Sequence, residues 1–175
     1  IIKFEYGGSQ MDFNIEAINW DNERRIKRGK IIAAEIMNSI DIKSGYGALE
    51  FGCGTGIISF NMKDKFSHIT LVDTSEGMIE KLNHKVQELQ VDNMMAIKAD
   101  INNDVQLKNQ KFDVIYTSMA LHHILDIRTT LENLYEMLNV QGYLCIVELV
   151  EDDGSFHKSD KNFNGSGLFS ISYGG

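Results

Sequence analysis

The sequence predicts an α/β protein with a doubly wound, mostly parallel sheet flanked by helices. Strand-like and helical segments alternate after residue 20, and the last strand-like segment, GYLCIVELV, is an almost continuous apolar run. Such a run is typical of a strand that is covered on both faces. A glycine-rich turn also links the first strand to a helix. The 175 residues, 43% of them hydrophobic, suit one globular domain with a single core.

The predicted elements form five strand–helix units with short connections. A helix over 22–40 precedes them, with apolar residues at helical spacing and Asp21 as its expected N-cap. The strands are expected at 47–51, 69–72, 94–99, 111–117 and 142–150. A short helix follows Gly56. Two later helices are each expected to face the sheet with one apolar side. In the first, this side consists of Ile79, Leu82, Val86 and Leu89. In the second, which is expected to start near Asp126, it consists of Leu131, Leu134, Tyr135 and Leu138.

The chain is expected to be a single domain over 1–175. Within it we distinguish a helical cap over 12–44, a ligand-binding core over 45–150 and a C-terminal segment over 151–175. Both ends of the chain alternate apolar and polar residues and finish in Tyr-Gly-Gly. Either end suits a short edge strand, but irregular termini are the preferred interpretation, and residues 1–11 also suit a leader.

Composition limits the compartment and the partners. No apolar run reaches the ~20 residues of a bilayer span, and no secretory leader pattern is found, so we expect a cytoplasmic protein without membrane contact. Cys53 and Cys145 form neither a metal pattern nor a disulfide framework. The net charge of −8 repels phosphate backbones, so no nucleic-acid partner is expected. The dense basic cluster, interpreted as the solvated face of a helix, is Arg24, Arg25, Lys27, Arg28 and Lys30.

The stretch ALEFGCGTGIISF has glycine at three alternating positions, Gly52, Gly54 and Gly56. A strand, a glycine loop and a helix start place backbone N–H groups at one spot, which suits a polar or anionic ligand. The dinucleotide pattern G-x-G-x-x-G fails in both frames, because its third glycine is replaced by Ile57 or Ser59. The phosphate loop G-x-x-x-x-G-K-[ST] is absent from the sequence as well.

Three carboxylates follow the ends of the first three strands. Glu50 beside the glycine loop would repel a pyrophosphate and attract an ammonium group, so an amino acid joined to a nucleoside fits both sides of the loop. Asp73, 17 positions after Gly56, can accept hydrogen bonds from both hydroxyls of a ribose. Asp100 is placed to accept from an exocyclic adenine amine, with Ile101 against the ring.

With these residues the sequence resembles the S-adenosylmethionine-dependent methyltransferases of the Rossmann-like class I fold. LEFGCGTG resembles their first motif, LVDTS and KADIN their second- and third-strand acids, and FDVIYTSMALHHI and MLNVQGYLCIVE their fourth- and fifth-strand motifs. The resemblance covers about residues 12–157 and implies that S-adenosylmethionine donates a methyl group and leaves as S-adenosylhomocysteine. The residues expected at the cofactor are Trp20, Glu50, Gly52, Cys53, Gly54, Gly56, Asp73, Thr74, Asp100, Ile101 and Ser118.

The segment TSMALHHI after the fourth strand lines the acceptor pocket in the family that the sequence resembles. His122 or His123 is a candidate general base there, or else a packing residue. Adjacent histidines cannot share one helix face, so no metal site is expected. Trp20, before the first motif, is expected either to cover the sulfonium or adenine of the cofactor or to anchor its helix on the core.

Motifs that are missing from the fourth-strand segment exclude some classes of methyl acceptor. Methyltransferases of base or glutamine amino groups carry an Asn/Asp-Pro-Pro-Tyr/Phe loop there, whereas this chain reads Tyr116-Thr117-Ser118-Met119 and contains no proline. The metal-dependent catechol type keeps an acid that is missing from this segment. A small-molecule methyl acceptor is therefore expected.

The C-terminal segment departs from the pattern of the family. Members add a helix and antiparallel strands six and seven after strand five, and the residues beyond 157 are too few for all of these. Strands six and seven are therefore expected to be missing or incomplete, and the uncovered sheet edge predicts a tendency to form a homodimer. Two other functions stay open: an S-adenosylmethionine-binding protein without activity, and a dinucleotide-dependent oxidoreductase.

Overall fold

The computed structural model describes residues 12–148 and 168–172. The strands are β1 Gly47–Phe51, β2 His68–Asp73, β3 Met94–Lys98, β4 Phe112–Ser118, β5 Leu138–Val147 and β6 Leu168–Ser172. The α-helices are α1 Phe13–Glu16, α2 Glu23–Ser39, α3 Ile57–Phe60, α4 Glu76–Glu88, α5 Val105–Lys108 and α6 Ile127–Glu136. Short 3₁₀ helices span Ala17–Asn19, Lys63–Lys65 and Leu121–His123.

The six strands form one sheet in the order β3-β2-β1-β4-β5-β6. The pairs among the first five strands are all parallel, and β6 runs antiparallel to β5. The strand order reverses between β1 and β4, which makes the carboxyl ends of these two strands the topological switch point where such sheets bind ligands. The predicted doubly wound α/β fold is therefore confirmed.

Two hydrophobic cores cover the two faces of the sheet. Neighbouring residues of β1 point to opposite faces, so Ala48 belongs to one core and Leu49 to the other. The first core contains Ile36 of α2 and Leu82 of α4, whereas the second contains Leu134 of α6. Every residue of β1 is buried, as expected for the central strand of a sheet between two helical layers.

Some details of the predicted elements were wrong. Asn22, not Asp21, is the N-cap of α2, because its Oδ1 accepts from the Arg25 backbone N–H at 3.0 Å. Asp21 instead pairs with Lys85 Nζ at 3.0 Å. Leu138 begins β5 rather than lying on the helix before it. Of the apolar residues expected to face the sheet, Leu89 and Tyr135 are exposed, which leaves narrower apolar faces on α4 and α6.

The C-terminal residues add one strand beyond β5. Residues 168–172 pair with Tyr143–Val147 as an antiparallel edge strand, so the preference for an irregular terminus was wrong there. The expectation that strands six and seven are missing or incomplete falls largely on residues outside the described ranges and stays a prediction. The interpretations of residues 1–11 lie outside the described residues, as does most of the segment 151–175.

The part of the helical cap that precedes α2 is bound to α4 by hydrogen bonds. Lys81 Nζ donates to the carbonyls of Ala17 at 2.8 Å and Ile18 at 3.0 Å. Asn14 Oδ1 accepts from Gly77 N at 2.9 Å near the other end of the cap. These contacts hold the cap beside the loop after β2. None of the helices in the described ranges has the length and apolar character needed to cross a bilayer.

Candidate functional site

A cleft of about 570 Å³ opens at the carboxyl ends of β1, β2 and β4. Its volume lies in the range of roughly 300–1,000 Å³ that small-molecule sites occupy. The predicted site residues that line it are Trp20, Glu50, Gly52, Cys53, Gly54, Asp73, Thr74, Ser118, His122 and His123. The fold therefore brings ten of the predicted side chains and backbone positions to one place.

The glycines of the loop meet two separate demands. Gly54 has φ +52°, a left-handed conformation that costs an alanine roughly 1–2 kcal/mol. Gly56 precedes α3 with φ +74°, and a Cβ there would lie 2.7 Å from Leu82 Cδ1. Gly56 does not line the cleft. The packing of α4 and the backbone turn thus explain why residue 56 is a glycine, whereas Gly54 borders the ligand space.

Asp73 joins the glycine loop to the start of α4. Its Oδ2 accepts from the Gly54 backbone N–H at 2.8 Å, and its Oδ1 accepts from Ser75 N at 2.9 Å. Ser75 in turn is the N-cap of α4. Each carboxylate oxygen can accept a second hydrogen bond. The half-buried Asp73 carboxylate can therefore still bind a pair of hydroxyl groups in the cleft.

Glu50 lies behind the glycine loop, with only 2% of its surface exposed. The Ser59 hydroxyl donates to Glu50 Oε2 and lies 2.5 Å from the Tyr116 hydroxyl. Burial, with a smaller contribution from the negative charge of Asp73, raises the pKa of Glu50 to about 8 despite the Ser59 hydrogen bond. The carboxyl group is thus mainly neutral at pH 7. A cation at this wall of the cleft would favour its ionised form.

Arg25 and Arg28 of the basic cluster are half-buried and line the cleft, whereas Lys27 and Lys30 are exposed, as the interpretation as a solvated helix face predicted. Arg25 stacks on the Trp20 ring with its guanidinium carbon 3.9 Å from the ring centroid. Arg28 is half-buried, and burial together with the charges of Arg25 and Arg24 lowers its pKa. Among the described residues, Arg28 has no ion pair. The site therefore carries a concentrated positive charge in a protein of net charge −8.

Trp20 packs on the cap and also lines the cleft, and its expected role at the cofactor or on the core stays a prediction. Its ring packs edge-on against Phe13 at 6.0 Å, so it anchors the cap. It also lines the cleft, and its Nε1 lies 3.4 Å from where a Cβ of Gly54 would be.

His122 and His123 also line the cleft. His122 Nδ1 lies 2.9 Å from Glu148 Oε2, and Glu148 Oε1 accepts from the Leu121 backbone N–H at 2.6 Å. The His123 ring contacts the Phe13 ring edge-on at 5.2 Å. Burial, and secondly the neighbouring His122, lower the pKa of His123. The two imidazoles therefore differ: one is bound to a carboxylate and the other packs on the cap.

Asp100 and Ile101 do not line the cleft, and their predicted roles at adenine stay predictions. Asp100 Oδ1 accepts from Asn102 N at 2.9 Å, and its Oδ2 accepts from Asn103 Nδ2 at 2.6 Å. The carboxylate is thus oriented towards its own turn. Ile101 is 2% exposed and packs in the second core. Ala99, at the end of β3, is the residue of this segment that borders the cleft.

Several residues at the cleft were missed by the sequence analysis: Phe13, Asn22, Gly29, Met78, Ile124 and, next to His122, Glu148. Glu148 directly follows β5, so its place at the carboxyl end of a strand was a usable signal. The arginines gave a second signal, since Arg25 and Arg28 are three residues apart and therefore lie on the same face of α2. No group of three or more potential metal ligands occurs among the residues with described positions.

Several known proteins with similar sequences are named methyltransferases. Residues 42–169 match the family described as methyltransferase domain. An uncharacterized methyltransferase of Schizosaccharomyces pombe is 30% identical over 69% of this chain and 45% of its own length. The malonyl-[acyl-carrier protein] O-methyltransferase of Bacillus anthracis is 28% identical over 77% of this chain and 50% of its own length. The chain thus spans about half the length of these curated relatives.

Solved structures show the same fold at lower sequence identity. A putative S-adenosyl-L-methionine-dependent methyltransferase from Methanococcus maripaludis has a TM-score of 0.69 and 21% identity, over 82% of this chain and 68% of that one. Coclaurine N-methyltransferase bound to N-methylheliamine and SAH has a TM-score of 0.61 and 18% identity, over 69% of this chain and 36% of that one. The chain belongs to the class I S-adenosylmethionine-dependent methyltransferase domain family.

Proposed function

We propose that this protein transfers a methyl group from S-adenosylmethionine to a small-molecule acceptor. The observation that carries the proposal is the Asp73 carboxylate, which holds Gly54 N at 2.8 Å and still has free acceptor positions beside the cleft. When bound, S-adenosylmethionine supplies a methyl group on a positively charged sulfur. The residues of the chain have to bind this molecule, orient it and align an acceptor with it.

The cleft offers complementary groups for each part of the cofactor. Asp73 suits the ribose hydroxyls, and the arginines of α2, Arg25 and Arg28, suit the carboxylate of the methionine part. Glu50 suits its ammonium group, since a cation there would favour the ionised carboxylate. The Trp20 ring lies beside Gly54, where it can cover the methionine part or the sulfonium.

The acceptor is proposed to be small because of the walls of the cleft. Ser118, Ile124 and the two histidines line the same cleft as the arginines, and its volume of about 570 Å³ lies in the range of small-molecule sites. The negative charge of the whole chain, −8, disfavours nucleic acid as acceptor. The relative from Bacillus anthracis is named for O-methylation of malonyl-[acyl-carrier protein], so a carboxylate is the competing acceptor class to test beside hydroxyl and amine compounds.

Thermal unfolding with S-adenosylmethionine, S-adenosylhomocysteine and NAD tests the proposed cofactor. Ligand at a hundred times its dissociation constant adds about 2.7 kcal/mol to the unfolding free energy, which should raise Tm by roughly 5–10 °C. We expect this rise with the two sulfur nucleosides and not with NAD. A rise with NAD alone would support the oxidoreductase alternative instead.

Asp73→Ala and Asp113→Ala form a matched pair for this measurement. Asp113 Oδ2 accepts from Gly47 N at 2.8 Å, a contact like that of Asp73 with Gly54 but at the other end of β1. Both variants should lose stability, because a backbone N–H loses its partner. Asp73→Ala alone should lose the response to S-adenosylmethionine. An unchanged response in Asp73→Ala would contradict the proposed site.

Homodimerisation and a cytoplasmic location stay predictions. β6 covers the edge of β5 on which the expectation of a dimer was based, so β3 and β6 are now the outer strands. Met95 of β3 is 53% exposed, and we propose it as the contact with the sheet edge of a second copy. Sedimentation equilibrium over a range of concentrations would test this, and a monomer throughout would contradict it.

A further inference from the structure

Glu148 and His122 form a hydrogen-bonded pair at the cleft, which His122 lines. Their Nδ1 and Oε2 atoms lie 2.9 Å apart, and the other oxygen of Glu148 holds the Leu121 backbone N–H at 2.6 Å. The His122 side chain is 37% exposed and that of Glu148 19%. The carboxylate is therefore fixed by two donors from one 3₁₀ turn, while the rest of the imidazole remains accessible.

The charge state of Glu148 decides which nitrogen of His122 carries its proton. Burial raises the pKa of Glu148, but hydrogen bonds from His122 and Leu121 outweigh this, and the pKa lies below its usual value. An ionised carboxylate can only accept hydrogen bonds. Neutral His122 must then carry its proton on Nδ1, which leaves a lone pair on Nε2.

We propose that Glu148 is a positioning residue that holds His122 with Nε2 as a proton acceptor, so that His122 removes a proton from a hydroxyl or amine acceptor. This proposal rests on the proposed methyltransferase function and adds a class of acceptor to it. A carboxylate acceptor has already lost its proton at neutral pH and would need no such base. The pair therefore favours an acceptor atom that still carries hydrogen.

The proposed step balances without a further reactant. The acceptor oxygen or nitrogen bonds to the transferred methyl carbon, and the electron pair of the broken carbon–sulfur bond stays on sulfur. The proton of the acceptor passes to His122 Nε2. The resulting imidazolium is stabilised by Glu148, which keeps its own negative charge, as in other histidine–carboxylate pairs.

His122 is assigned this role rather than His123 on the basis of their contacts. The two rings are neighbours, with centroids 3.9 Å apart, and both line the cleft. His123, however, packs against Phe13. His122 makes the contact with the carboxylate that sets a tautomer. His123 therefore serves as an internal control in any measurement on the pair.

Glu148→Gln tests the proposal because the structure dictates how the amide will be oriented. The Leu121 N–H needs an acceptor, so the glutamine oxygen must take the place of Oε1. The NH₂ group then faces His122 Nδ1 and donates to it. The proton of neutral His122 must move to Nε2, where it blocks proton acceptance, while the contact that holds the turn is kept.

Nitrogen-15 NMR of the histidine side chains, above the pH at which they titrate, reads the tautomer directly in the protein without ligand. We expect the proton of His122 on Nδ1 in the wild type and on Nε2 in Glu148→Gln, with the tautomer of His123 the same in both proteins. His122→Gln identifies the signals. A wild-type proton on Nε2, or the same tautomer in both proteins, would overturn the proposal.

Two further measurements separate this proposal from the proposed function. The Tm rise with S-adenosylmethionine should be equal in wild type and Glu148→Gln. Absence of this rise in both proteins would refute the methyltransferase function but would leave the tautomer result unchanged. Methyl transfer to phenol should fall about 10²–10⁴-fold in Glu148→Gln, the usual contribution of a general base. Transfer to benzoate but not to phenol by the wild type would overturn the assigned acceptor class.

Discussion

The backbone N–H of Gly54 donates a 2.8 Å hydrogen bond to Asp73 Oδ2. This contact joins the loop after β1 to the end of β2, so the glycine loop is shaped by the same carboxylate that is proposed to bind the ribose. Because Asp73 also holds Ser75 N, the cofactor site and the N-cap of α4 depend on one side chain. Loss of Asp73 should therefore affect both stability and binding.

Gly54→Ala should abolish cofactor binding at a modest cost in stability. The left-handed backbone costs the alanine roughly 1–2 kcal/mol, and the new methyl group would lie 3.4 Å from Trp20 Nε1, at the ligand space. Gly45→Ala is the control, since Gly45 has φ +90° with no atom within 4 Å of the added Cβ. Urea unfolding should show comparable losses in both variants, and isothermal titration should show lost S-adenosylmethionine binding in Gly54→Ala alone. Full binding by Gly54→Ala would contradict the placement of the ligand.

Glu50 should make the stability of the protein fall with rising pH. Its folded pKa of about 8 lies above the ordinary value of 4.5, so the folded state holds a proton that the unfolded chain has lost. The stabilisation from protonated Glu50 is fully present below its ordinary pKa of 4.5 and is lost as the pH rises through about 8. Between these two values the free energy of unfolding should fall by about 1.4 kcal/mol per pH unit. Urea unfolding of wild type and Glu50→Gln at pH 5.5, 6.5 and 7.5 isolates this group. If the free energy of unfolding depends on pH in the same way in both proteins, Glu50 is already ionised in the folded state over this pH range.

Arg28→Met should weaken the binding of S-adenosylmethionine more than the binding of decarboxylated S-adenosylmethionine. The half-buried Arg28 guanidinium lines the cleft, and a hydrogen bond to a charged group is worth about 1.5–3 kcal/mol, or roughly a 10–150-fold change in Kd. Quenching of Trp20, the one tryptophan of the chain, would follow both ligands. Lys27→Met, an exposed position on the same helix, is the control. Equal weakening of both ligands by Arg28→Met would mean that Arg28 does not meet the carboxylate.

Much of the fold could be predicted from local patterns. Apolar runs such as the one in β5 identify strands buried on both faces, and the start of α6 was predicted near Asp126, which is its N-cap. The alternation of strands and helices then leaves few topologies, since parallel strands need crossover connections. Asp21 and Asn22 are adjacent and both can cap a helix. Which of them does so depends on Lys85, 64 residues away.

The candidate site was predictable where the chain itself brings groups together. Gly54 and Asp73 lie at the ends of neighbouring strands, and strand order alone places them side by side. Their glycine and carboxylate chemistry indicates the kind of ligand. The direction of a side chain is a different matter, because packing decides it. Asp100 satisfies its own turn, and Glu50 is buried behind the loop with a changed pKa.

By itself, therefore, the sequence determined the sheet, its switch point and the ligand class, because these follow from local periodicity and from residues at strand ends. The tertiary structure alone decided which charges meet in the cleft. Arg25 and Arg28 arrive there because α2 packs on the sheet beside α3, and Glu148 reaches His122 across 26 residues of sequence. Contacts of this kind depend on how helices and strands pack together, and no local pattern contains that information.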